Sequence, residues 1–223
     1  MGNTGTYASL IQSRLYLICE LLGIFVIIPA IIYALLPLPF IPILWLITFL
    51  CIWAVSKDKT FDRDSLWRAS ELKKNYKGML KQFLIITVVM MALVYVFIPD
   101  HLFSLIKEDP LVWSLIVILY PLISVFPQEL LYRTFFFHRY KMLFKKKWQI
   151  ITVNTLLFGY MHIIFQNWVA VGLTVLGGFL FASMYERTRS TLLVSVAHAL
   201  YGELIFTVGL GTYFYTGTLL TLS

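Results

Sequence analysis

The stretch PLISVFPQELLYRTFFF, residues 121–137, decides the reading of this chain. It lies inside an apolar run from Leu111 to Phe144, too long for one membrane span of about 20 residues. Yet it carries Gln128, Glu129 and Arg133 where lipid-compatible side chains belong. An ionisable group at membrane depth costs roughly 2.5 kcal/mol or more unless it is paired or faces a wet cavity. Further along, His162 and His198 interrupt two more apolar segments. A carboxylate, a guanidinium and two imidazoles on successive apolar segments point to a reaction centre inside a helix bundle.

The composition fits a membrane interior. Of 223 residues, 60% are hydrophobic and 13% charged, with a mean hydropathy of +0.82. A soluble domain is about 45–50% apolar and about 25% charged. Continuous apolar runs, rather than segments alternating over about ten residues, exclude an outer-membrane barrel. The fold class is therefore all-α: a polytopic transmembrane helix bundle of seven to eight membrane helices. It reads as a single membrane domain over residues 1–223, with the motif-bearing core at about 110–205. The net charge of +7 is carried by loops between apolar runs, so it marks contact with anionic lipid rather than nucleic acid.

Seven segments follow from the hydropathy: roughly Leu15–Leu36, Pro39–Val55, Gln82–Ile98, a helix from about Pro121 to Tyr140, Gln149–Phe165, Trp168–Tyr185 and Thr191–Leu210. Pro121 and Pro127 divide the long run, predicting a kink or a shallow segment ahead of the fourth helix. The polar loop 56–81 holds Asp62-x-Asp64-Ser65 followed by Leu66, Trp67 and Leu72, the pattern of a capped amphipathic helix on the membrane surface. The loops at 56–81, 141–147 and 186–189 hold most of the Lys and Arg. They share one side if the chain starts in the cytoplasm. With no basic leader before the first span, the chain reads as a bacterial inner-membrane protein with a cytoplasmic N-terminus. Met1–Thr6 formally matches a myristoylation pattern, which a multispan protein does not need. Cys19 and Cys51 lack CxxC spacing and read as buried, unreactive thiols.

Depth supports one shared site. At 1.5 Å per residue, Glu129 lies about 18 Å from the basic loop 141–147, His162 about 22 Å, and His198 about 14 Å from Arg189. Glu129 and Arg133, four apart, share a helical face. An ion pair that only holds helices together is the plain alternative for those two alone. Glu20 reads as a packing or cavity residue, and Asn154 and Asn167 as interhelical hydrogen bonders. Gly172, Gly177 and Gly178 read as sites of close helix approach, Phe135–Phe137 as packing, and Trp113, Trp148 and Trp168 as interfacial residues.

Three motifs now stand in order: Gln128-Glu129-Leu130-Leu131-Tyr132-Arg133, Phe158-Gly159-Tyr160-Met161-His162, and His198-Ala199-Leu200-Tyr201-Gly202. Together with the Tyr185–Ser190 turn they resemble the CPBP family of CAAX proteases and bacteriocin-processing (Abi) intramembrane proteases. That family includes the type II prenyl endopeptidases. Its pattern is Glu-Glu-x-x-x-Arg, Phe-x-x-x-His and His-x-x-x-Asn or Asp, and the resemblance covers roughly residues 110–205. It implies an intramembrane endopeptidase acting on a membrane-associated protein or peptide. The catalytic set it implies is Glu129, Arg133, His162, His198 and Gln128.

Two positions depart from the pattern. The first Glu is Gln128, which cannot accept a proton, and the closing Asn or Asp is Gly202. Glu129 and His162 are then expected to activate water. His198 would stabilise the oxyanion, with Gln128 as a further donor and Glu203 as a nearby carboxylate. No cofactor is required in this reading. Zinc on Glu129, His162 and His198 ranks second, because no His-Glu-x-x-His helix is present and Arg133 disfavours a cation. Two other readings stay open: a degenerate protease that binds, confers immunity or regulates without cutting, and a small transporter with an ion relay.

Overall fold

In the computed structural model the described residues are 13–35 and 39–214. The Met1–Thr6 pattern lies outside them. Seven apolar helices organise the described chain: α1 (Arg14–Ala34), α2 (Phe40–Ser56), α3 (Ala69–Phe97), α4 (Pro110–Arg139), α5 (Lys147–Met161, extended by a 3-10 turn to Phe165), α6 (Trp168–Thr188) and α7 (Thr191–Thr207). Five helical segments, including α1, α4 and α6, are long and apolar enough to cross a membrane; α2 and α7 are shorter apolar helices. This is an integral membrane protein built of helices. Its outer surface is rich in exposed Leu, Ile, Val and Phe, which water would penalise and lipid does not.

Local chemistry sets the helix ends. Asp109 caps α4 by accepting from the Val112 N–H at 3.0 Å, with Pro110 in the first turn, where its missing N–H costs nothing. Asn167 caps α6 through the Ala170 N–H at 2.8 Å. Arg189 ends α6 in the left-handed conformation (φ 49°), and Ser190 caps α7 through the Leu193 N–H. The 185–190 turn is thus a C-cap and an N-cap in succession.

Of the kink or shallow segment expected at Pro121 and Pro127, the separate segment does not form: the helix runs on from Pro110 to Arg139. The helix widens instead into π turns at Pro121–Val125 and Leu130–Phe135. Pro127 has no N–H to offer the Ile123 carbonyl, and that oxygen accepts from Trp45 Nε1 of α2 at 3.0 Å. The Pro127 carbonyl accepts from Thr48 of α2 at 3.2 Å. A neighbouring helix thus supplies the donors, as membrane burial demands.

The separate surface helix expected within 56–81 is absent. Arg63–Leu66 forms a 3-10 turn, and Arg68 takes a positive φ of 26°. From Ala69 the polar stretch runs without a break into the third span. At 29 residues α3 is about 44 Å long against a hydrocarbon core of about 30 Å, so its lysine-rich first turns stand clear of the apolar layer.

The core lies between α1, α4, α5, α6 and α7, with Phe25, Tyr132, Phe136, Tyr140, Phe158 and Leu193 closed off from the exterior. Phe135–Phe137 pack there as expected. Glu20 of α1 holds Arg139 at the end of α4, Oε1 to Nε at 2.7 Å, and accepts from the Tyr140 hydroxyl. Gly159 of α5 and Gly178 of α6 make the close approach of those two helices: a Cβ at Gly159 would strike Val175, and one at Gly178 would press on Phe158. Gly172, expected to share that role, has nothing within 4 Å of its Cβ position, because it faces away from the contact. Cys51 is buried, but Cys19 is exposed on the outer face of α1, correcting the reading of both thiols as buried.

The three basic loops meet at one end of the bundle. Lys147 pairs with Glu186 at 3.3 Å, Glu186 also binds Arg189, and His138 bonds Asp58 at 2.9 Å. Ser190 donates to the Arg68 carbonyl, and Arg14 to that of Leu143.

Candidate active site

Helical periodicity brings the site together. Tyr120, Ser124 and Gln128 recur every four residues on α4, and Asn154, Phe158 and His162 do the same on α5. Each trio therefore lines one face. His198 enters from α7, and Phe181 of α6 stacks on its ring at 4.7 Å between centroids and 23° between planes.

Glu129 and Arg133 are fully buried. Glu129 Oε2 lies 3.2 Å from Arg133 Nε, and Oε1 lies 2.8 Å from His198 Nδ1. The guanidinium also donates from Nη1 to Asn154 Oδ1 and rests over the Phe158 ring at 4.8 Å. Asn154 in turn donates Nδ2 to the Tyr132 carbonyl at 2.7 Å. One carboxylate is thus held by a cation on one side and an imidazole on the other, in a setting where an unpaired charge would be costly.

That arrangement assigns the protons on both histidines. A carboxylate oxygen only accepts, so the hydrogen facing Glu129 sits on His198 Nδ1, and in the neutral ring the lone pair is on Nε2. His162 Nδ1 lies 2.7 Å from the Phe158 carbonyl, another pure acceptor, so in the neutral ring the His162 lone pair is likewise on Nε2. The Tyr120 hydroxyl stands 3.3 Å from His198 Nε2, long for a hydrogen bond between oxygen and nitrogen. Gln128 Nε2 donates to Ser124 Oγ at 2.8 Å, which leaves its buried Oε1 unpartnered.

Gln128, His162 and His198, with Tyr120 and Ser124, line a cavity of about 750 Å³. Its walls are otherwise mostly apolar. Val89 and Leu93 of α3 and Leu176 and Phe179 of α6 belong both to the wall and to the exposed outer surface. The cavity therefore reaches the lipid-facing side between α3 and α6.

Of the residues singled out in the sequence, His162, His198 and Gln128 line this cavity. Glu129 and Arg133 stand behind it. The expectation that Glu129 meets water directly is not what the geometry shows, since both its oxygens face Arg133 and His198. Glu203 is not in the lining either; it is one residue, about 100°, further round α7 than Gly202. Among the described residues no group of three or more His, Cys, Asp or Glu is gathered closely enough to hold a metal ion. Glu129 is already engaged on both oxygens. Sequence reasoning missed Tyr120, Ser124 and Phe181 as cavity residues. The four-residue spacing from Tyr120 to Gln128 was the available signal.

Residues 110–202 match the family model described as type II CAAX prenyl endopeptidase Rce1-like. The match spans α4 to Gly202 of α7, and it includes all three motifs and the cavity residues Tyr120, Ser124, Gln128, His162 and His198. No curated protein and no solved structure matches the chain.

Proposed function

We propose that this chain, whose residues 110–202 carry the Rce1-like type II CAAX endopeptidase match, is an intramembrane endopeptidase that hydrolyses a peptide bond of a membrane-associated protein or peptide. The observation that carries this reading is that His162 and His198 line one cavity, with Nε2 the lone-pair nitrogen of each neutral ring. Each is backed by a fixed acceptor on Nδ1. A water between them has acceptors for its protons, and its oxygen is left to attack a carbonyl.

His198 is the base in this scheme. Glu129 stabilises the imidazolium as it forms, in the manner of the carboxylate behind a catalytic histidine. Glu129 and Arg133 are thus positioning residues, and the replacement of a carboxylate by Gln128 is tolerated. Gln128 lines the cavity beside the two histidines, and its side chain is held by Ser124. The role first expected of Glu129 passes to the imidazole it supports. The orientation that suits the basic loops places their end of the bundle, and the start of α1, in the cytoplasm, with the inner membrane of a bacterium as the setting.

The test is cleavage of a library of membrane-proximal peptides by the full-length protein in detergent. Wild type is compared with Glu129→Gln, His162→Ala and His198→Ala, with and without chelator. Wild-type cleavage that survives chelator, with the two histidine variants dead and Glu129→Gln slowed by about 10²-fold or more, is the expected result. Loss of activity with chelator would overturn imidazole-based water activation. An inert wild type that gains cleavage through Gln128→Glu would hand the lead to the second reading, a degenerate member that binds without cutting, which the missing carboxylate favours.

A further inference from the structure

Gly202 lies one turn beyond His198 on α7 and has no side chain to offer the cavity. The space is not vacant. A Cβ at Gly202 would lie under 3.0 Å from three atoms of Tyr120, its hydroxyl oxygen among them. The bare glycine is what lets the Tyr120 ring of α4 lie against α7, and that placement brings its hydroxyl to His198 Nε2. The ring is further fixed edge-on to Phe206 at 5.7 Å and to His198 at 6.2 Å. The Tyr120 side chain lines the same cavity as His162 and His198.

We propose that the Tyr120 hydroxyl is the oxyanion-binding donor of this site, released for that role when His198 takes its proton. The inference rests on the endopeptidase reading above. In the resting site His198 Nδ1 carries hydrogen and Nε2 does not, so the Tyr120 O–H points at Nε2 across a long, weak contact. As water attacks, its oxygen bonds to the carbonyl carbon and the carbonyl π pair moves onto the carbonyl oxygen. The water O–H bond breaks, and its proton goes to Nε2. His198 then has hydrogen on both nitrogens and becomes a donor toward the Tyr120 oxygen. The phenol hydrogen must turn elsewhere, and the new oxyanion is the acceptor that has just formed. Protonating the base and arming the oxyanion donor are one event. Tyr120 keeps its own proton throughout.

Tyr120→Phe removes the hydroxyl and keeps the ring. The expected result is a fall in kcat of about 10²- to 10³-fold with KM little changed, the loss typical of one oxyanion donor. Gly202→Ala tests the same atom from the other side, because its Cβ displaces the phenol. The two substitutions combined should lower kcat no further than the more severe of the two single variants, with melting temperature in detergent followed for each variant. Independent, additive losses would show that both act only through packing and would overturn the proposal. So would an unchanged kcat in Tyr120→Phe while His198→Ala is dead, a result that leaves the endopeptidase reading standing. A wild type that cuts nothing in the library overturns that reading, and this proposal with it.

Discussion

Arg133 shows how much one side chain can decide. It is fully buried, four residues from the carboxylate it neutralises, and held by Asn154 and two aromatic rings. Removing one partner of such a pair leaves the other charge buried and alone, at about 3–5 kcal/mol. Arg133→Ala should therefore lower the melting temperature in detergent sharply, as well as disorder the His198 ring. Arg133→Lys should recover little, because an ammonium cannot serve Glu129 and Asn154 with one planar fork. A melting temperature unchanged from wild type for Arg133→Ala would show that neither the buried pair within α4 nor the Arg133 bond to Asn154 of α5 stabilises the fold. Glu129, Arg133, His162 and His198 were legible as a group because polar side chains in apolar runs stand out. Tyr120 was not legible, since a tyrosine in such a run is unremarkable until Gly202 is seen beneath it.

At the scale of the element, the α5–α6 hairpin depends on glycine. Gly159→Ala sets a Cβ against Val175 in a contact with no slack, and overpacking of this kind costs about 1–3 kcal/mol. Gly172→Ala, with open space around it, is the matched control and should leave stability unchanged. Val175→Ala added to Gly159→Ala should restore most of the loss, and thermal unfolding of the four proteins checks this. The glycines were visible in the sequence, but which of them meet a neighbour was not. Gly159 and Gly178 face the hairpin contact, whereas Gly172 lies on another face of the same helix. The prolines of α4 teach the same lesson. Their positions were plain, but the donors from Trp45 and Thr48 that let the helix continue come from a segment about 80 residues away.

For the molecule as a whole, the basic end is held by contacts between loops far apart in sequence. Asp58, between α2 and α3, accepts from the Thr60 N–H and from the His138 ring. The Thr60 N–H, then His138, pull the Asp58 carboxyl down from 3.8 to about 2. A group whose folded pKa is lowered favours folding above its unfolded value and loses that contribution as pH falls through the folded one. The contact should therefore be intact above pH 3.8 and lost on acidification toward pH 2. Asp58→Asn should lower stability at neutral pH, where the ionised carboxylate contributes in full, and flatten the acid limb in that window. A wild-type acid limb identical to that of the variant would remove Asp58 from the account.

The sequence by itself determined the helical membrane architecture, the approximate spans, the basic end and the polar residues that share a depth. Each follows from hydropathy, charge placement and the rise of a helix, which are properties of consecutive residues. The tertiary structure decided which of those residues face the cavity and which stand behind it. Glu129 was expected in contact with water and lies between Arg133 and His198 instead. Tyr120 fills the space above Gly202. Such roles depend on how α4, α5 and α7 rotate against one another, and that rotation is set by side-chain packing across helices, which no single stretch of sequence contains.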